Sequence, residues 1–174
     1  PRWREEIKWL VDHGIKGVKF HPNYQDFSVD DPKLFPLYEG LFEAGLITLF
    51  HAGVDLWYPD SNRGQPRQFD RLLTMFPGAI IIAAHMGGFR SWDEVETNLV
   101  GKEIYFDTAY SFEELGAERM ARLIKSHGVE KILFGTDAPW TDPKEEIARI
   151  RSLDLTEEEI SNILGENARR LLRL

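Results

Sequence analysis

The 174-residue chain carries 21 Lys and Arg against 29 Asp and Glu, a net charge of −8 with histidine neutral, and is 43% hydrophobic and 29% charged. This is the composition of a single globular domain spanning 1–174, which excludes disordered, collagen-like and coiled-coil chains. The acidic balance argues against nucleic acid, zero cysteines lean toward a reducing cytoplasm, and no apolar run reaches the ~20 residues that would make a membrane a partner.

The chain opens without methionine, inside an amphipathic pattern in which Trp3, Ile7, Leu10 and Val11 fall at helical spacing, and reads as a piece of a longer protein. Five apolar runs follow: Ile15 to His21, Leu46 to His51, Ala79 to His85, Glu103 to Thr108 and Lys131 to Asp137. Their nearly unbroken apolar character suits strands buried on both faces of a parallel sheet. Helical patterns lie between them. Ser91 with Glu94, Ser111 with Glu114 and Thr156 with Glu159 have the capping-box spacing, Asp142 precedes Pro143 at a helix start, and Gly45, Gly78 and Gly128 stand where helices should stop.

The strand ends recur about every 30 residues, close to the ~31 per unit of a ~250-residue (β/α)8 barrel. A doubly wound sheet would also accommodate five βα units, but no G-x-G-x-x-G phosphate loop occurs, which favours the barrel. The expected fold class is therefore α/β, a TIM barrel with its first three βα units missing, leaving five parallel strands in an open arc with two unpaired edges. Such an arc needs further chain, a second copy or a complementing chain to complete it.

Polar, metal-competent residues close one strand after another: His21, His51, His85 and Asp137. In a parallel barrel those ends converge on one face, where imidazoles and a carboxylate can share an ion. Only the Glu103 to Thr108 strand ends without one of these residues. A zinc ion held this way lowers the pKa of water toward ~7. On the long loop 55–68, Trp57, Tyr58 and Arg63 are placed to grip an apolar or anionic substrate, with Trp140 walling the pocket and His21 lining it. Structural readings cover other residues. Lys19 is expected to point into the barrel and pair with an acid, and Glu157 to Glu159 form an acidic first helical turn. His13 and His127 each precede a glycine at a helix end, where an imidazolium meets the negative end of the dipole.

The runs GVKFHP (17–22), FHAG (50–53), AHMGG (84–88), FGTDAPW (134–140) and GENARRLL (165–172) closely resemble the amidohydrolase-related proteins grouped with aminocarboxymuconate semialdehyde decarboxylase. The resemblance covers essentially the whole chain. It implies a distorted barrel with one divalent metal, most often zinc, and a small-molecule substrate. By the match, His51 and Asp137 bind the metal, Asp137 also moves a proton, and His85 orients or activates water. The family's His-x-His pair on the first strand has no counterpart here. The leading expectation is a metal-dependent hydrolase. The alternatives are a non-oxidative decarboxylase of a small unsaturated or aromatic acid using the same site, and an inactive barrel serving as a partner subunit. A TatD-type nuclease shares the T-D-A-P run but fits the acidic surface less well.

Overall fold

A computed structural model describes residues 2–174. Helix α1 (Trp3–Asp12) leads into strand β1 (Gly17–Phe20), followed by α2 (Phe35–Glu43), β2 (Ile47–Phe50), α3 (Pro66–Met75), β3 (Ile81–Ala83) and α4 (Trp92–Asn98). After these come β4 (Tyr105–Asp107), α5 (Phe112–His127), β5 (Ile132–Leu133), α6 (Pro143–Arg151), α7 (Glu157–Ser161) and α8 (Asn167–Leu172), the last two joined by a π-helical turn over Asn162–Glu166. The five strands pair in parallel in sequence order, as expected for a partial barrel. Each is shorter than its apolar run, because the chain turns away as soon as it passes the sheet.

Alternation divides the strand residues between two faces. Phe50, Ile81, Ala83, Phe106 and Ile132 pack under the helices with Tyr38, Phe69, Leu72 and Met120 in the main core. Ile47, Ile82 and Leu133 occupy the inner face, together with Leu49 and Tyr105. The sequence pattern did not foreshadow what covers them: Ala168, Leu171 and Leu172 of α8 pack against this inner face. The Asn167 amide fastens that helix by donating to the carbonyls of Val129 and Ile132, both at 2.7 Å.

Of the three capping boxes, Thr156 with Glu159 forms reciprocally, at 2.7 and 3.2 Å. The other two serines stand at the N-caps of α4 and α5 as expected, but their side chains bond elsewhere. The Ser91 hydroxyl donates to Gln65, the Ser111 hydroxyl donates to the Ala109 carbonyl, and the Glu114 carboxylate grips Arg90. The unforeseen box is Gln65 with Gln68 at the start of α3. Asp142 caps α6 through the Lys144 N–H, as expected. His13 also fits its helix-end reading, with Nδ1 2.8 Å from the Trp9 carbonyl.

His127 corrects the expectation of an imidazolium at a helix end. Its residue is 2% exposed, its ring stacks on Phe106 at 3.9 Å, and its Nε2–H donates to the Ile104 carbonyl at 2.8 Å. Burial pushes its pKa from 6.5 down to about 4, so it folds neutral. The unfolded chain binds this proton first as pH falls, and stability is therefore lost between pH 6.5 and 4. Urea unfolding should show a loss on the order of 3 kcal/mol over that window that His127→Gln lacks; equal pH dependence in the two proteins would refute the assignment.

Candidate metal and substrate site

Parallel register sets His21 and His51 side by side, because Phe20 is level with Phe50 and each histidine is the next residue. Their rings stack at 4.3 Å and 11°. Asp55, four residues beyond His51, returns its carboxylate over the pair: Oδ2 lies 3.3 Å from His21 Nε2 and 3.9 Å from His51 Nε2. Donor atoms of these three residues all fall within 4.8 Å of one another. Asp55 belonged to a loop that sequence reasoning noticed for its length and its aromatics, and the i, i+4 relation to His51 was the missed signal.

His85 enters from β3 by a different route. It is out of phase with the inner face, since it shares the alternation of Ala83, which faces the helices. A turn corrects this: His85, Met86 and Gly87 all take left-handed backbone angles, with φ of 59°, 53° and 84°. A Cβ on Gly87 would stand 2.7 Å from the Phe106 ring. The turn aims His85 Nε2 at His51 Nδ1, 3.1 Å away, and its Nδ1 at the Ala109 carbonyl, 2.9 Å away. Asp107 at the end of β4, which was not among the candidate residues because its run closes on Thr108, accepts the His85 backbone N–H at 2.8 Å.

These groups open into a cavity of about 540 Å³ that Lys19, Phe89, Tyr110, Asp137, Trp57 and Trp140 also line. Lys19 lines the cavity as expected; burial depresses its pKa, opposed by the carboxylates of Asp107 and Asp137. Burial likewise lowers His21, opposed chiefly by Asp55. His51 is driven to about 2, first by burial and then by the neighbouring His85, His21 and Lys19. Its Nε2 is buried with no hydrogen-bond partner. Trp57 and Trp140 stand at the mouth, 76% and 69% exposed. Asp137 lines the same cavity but is outside the compact group formed by His21, His51 and Asp55. Arg63 is a correction: it is not among the cavity-lining residues, and its guanidinium pairs with Asp26 at 2.6 Å.

The amidohydrolase family model matches residues 3–174. No curated protein matches. Among solved structures, 5-carboxyvanillate decarboxylase from Sphingomonas paucimobilis is 17% identical with a TM-score of 0.73, covering 98% of this chain and 62% of its own. An uncharacterized TIM-barrel protein from Bordetella bronchiseptica is 24% identical with a TM-score of 0.77, at 98% and 63% coverage. Dihydroxybenzoic acid decarboxylase from Polaromonas sp. JS666, solved with manganese and the inhibitor 2-nitroresorcinol, is 16% identical with a TM-score of 0.73, at 99% and 65% coverage. The chain thus spans somewhat less than two thirds of the length of these structures. The fold they share with it is the TIM barrel.

The loops that carry the site are tied together at one close backbone approach. Gly53, at φ 86°, pairs with Phe89, and a Cβ there would come within 2.2 Å of the Phe89 nitrogen. Gly53→Ala should therefore cost at least about 2 kcal/mol in chemical denaturation, whereas Gly14→Ala, where a Cβ meets nothing within 4 Å, should cost less. Equal costs would show that the contact is not what demands glycine at 53.

Proposed function

The chain belongs to the amidohydrolase family, and from that premise we propose that it forms the metal-binding part of a metal-dependent hydrolase acting on a small anionic substrate. One observation carries the reading. The buried, unpartnered Nε2 of His51 faces the Asp55 carboxylate oxygen across 3.9 Å, with the His21 ring stacked alongside. A nitrogen lone pair and a carboxylate oxygen repel unless positive charge lies between them, and two imidazoles with one carboxylate are a fitting donor set for a divalent ion. Zinc suits those donors, and the structurally similar Polaromonas enzyme holds manganese. When bound, the ion supplies Lewis acidity toward water and a substrate oxygen.

The remaining roles fall to this chain's own side chains. His51, His21 and Asp55 hold the ion. Asp137, on the β5 side of the cavity, takes the proton from the attacking water and returns it to the leaving group. His85 engages the far side of the His51 ring and keeps it in place. Lys19 draws the substrate's negative charge into the cavity, while Trp57 and Trp140 flank its mouth and enclose an apolar ring.

A second reading, non-oxidative decarboxylation, rests on the pairing of Lys19 with aromatic walls from Phe89, Tyr110 and Trp140, which suits an aromatic acid. The matched decarboxylases act on acids of that class.

Metal analysis and turnover test both readings. The wild-type protein should bind one zinc or manganese ion, and His51→Ala should bind at least ~10-fold more weakly. Asp137→Asn should keep the ion and lose roughly 10²-fold or more in kcat. Unchanged metal content in His51→Ala would refute the site. Release of CO2 from hydroxybenzoates, with no cleavage of esters, amides or lactones, would select the second reading over the first.

A further inference from the structure

Two hydrogen bonds fix which nitrogen of each buried histidine carries its proton. The Ala109 carbonyl can only accept, so His85 Nδ1, 2.9 Å away, must be an N–H. A neutral His85 then has only a lone pair on Nε2. His51 Nδ1, 3.1 Å from that lone pair, must therefore donate, which leaves His51 Nε2 bare. That is the atom buried without a partner opposite Asp55. His51 and His85 thus form a one-way relay of N–H donors from the cavity to the main chain just past β4.

The inner step of the relay, from His85 to Ala109, is held by a single carboxylate oxygen. Asp107 Oδ1 accepts the backbone N–H of His85 at 2.8 Å and that of Ala109 at 3.1 Å, and the Asp107 carbonyl accepts the Met86 N–H at 2.7 Å. His85, which donates the inner hydrogen bond, and Ala109, which accepts it, are thus anchored to the same atom. The anchoring also holds His85 at φ 59°, a conformation that non-glycine residues seldom adopt.

We propose that Asp107 is a positioning residue that, through His85, presets the His51 tautomer and so presents His51 Nε2 to the cavity. The consequence for metal binding rests on the reading of His51 as a ligand; the tautomer itself does not. A histidine ligand commonly donates its other ring N–H to a fixed acceptor, and loss of such a partner typically weakens metal binding about 10–100-fold.

The test reads the tautomers directly, by long-range 1H–15N NMR correlation of the imidazoles in metal-free protein, with zinc affinity measured separately by calorimetry. Wild type should show both His85 and His51 protonated on Nδ1. Asp107→Asn keeps an oxygen acceptor at the same place and should preserve both signatures; Asp107→Ala should lose the single His51 form and bind zinc about 10-fold or more weakly. His85→Asn, whose side chain suits a left-handed backbone, removes the relay while leaving Asp107 in place. It should also free the His51 tautomer and decides the matter if Asp107→Ala does not fold. The inference is overturned if Asp107→Ala or His85→Asn retains the wild-type His51 signature, or if Asp107→Asn is as disruptive as Asp107→Ala. Tautomers that shift as expected while zinc affinity stays constant would leave Asp107 in its positioning role and remove His51 from the metal site.

Discussion

Everything at the site depends on the phase of the parallel ladder. Phe20 is level with Phe50, Phe50 with Ala83, Ala83 with Phe106, and Phe106 with Ile132. Because side chains alternate, these residues serve the helix-packed core while their neighbours in sequence face the other way. Lys19 and His21, Leu49 and His51, Tyr105 and Asp107 are therefore brought to one face by the same hydrogen bonds that build the sheet. A slip of one residue in any strand would exchange core for site. The apolar packing of Phe50 and Phe106, both fully buried, is thus also what keeps His51 aimed at the cavity and Asp107 beneath the His85 turn.

His85 breaks this phase, and the structure around it is arranged to repair the break. Continued as a strand, residue 85 would point into the helices. The left-handed run from His85 to Gly87 returns the ring to the inner face, and close packing fixes the run on both sides: Gly87 lies under the Phe106 ring, and the following Phe89 pairs with Gly53. Strained backbone of this kind survives only where surrounding bonds over-determine it. The AHMGG run therefore has a local explanation in which both of its outer features, the histidine and the glycines, serve one turn.

Strands, their parallel order and the clustering of their ends were legible in the sequence, because runs such as AIIIAAH and KILFGTD combine buried apolar character with a polar terminus. Register phase was not. A histidine ending a run looks the same whether it continues the inner alternation, as His51 does, or must be turned back to it, as His85 is. Charged partners were also illegible. Arg63 on the long loop reads as a free cation until the fold brings Asp26 to it, and Asp107 reads as an ordinary strand acid until the fold brings the His85 N–H to its carboxylate. The helix starts at Ser91 and Ser111 were legible, but not the bonds made there: the Ser91 hydroxyl reaches Gln65 on another segment, and the Ser111 hydroxyl turns back to the Ala109 carbonyl two residues before it.

The inner face divides into two environments, and the division explains why the ionisable residues there are so perturbed. Helix α8 lays Ala168, Leu171 and Leu172 over Ile47, Ile82 and Leu133, making a water-poor floor beside the charged groups. Against such a floor the neutral forms of His21 and His51 are favoured, and neutral imidazoles have the lone pairs that a cation requires. A low local dielectric also strengthens the attraction of a bound ion or anion to Asp55, Asp137 and Lys19, because little solvent is left to screen it. The Asn167 amide, by anchoring α8 to the start of β5, holds that apolar cover over the inner face.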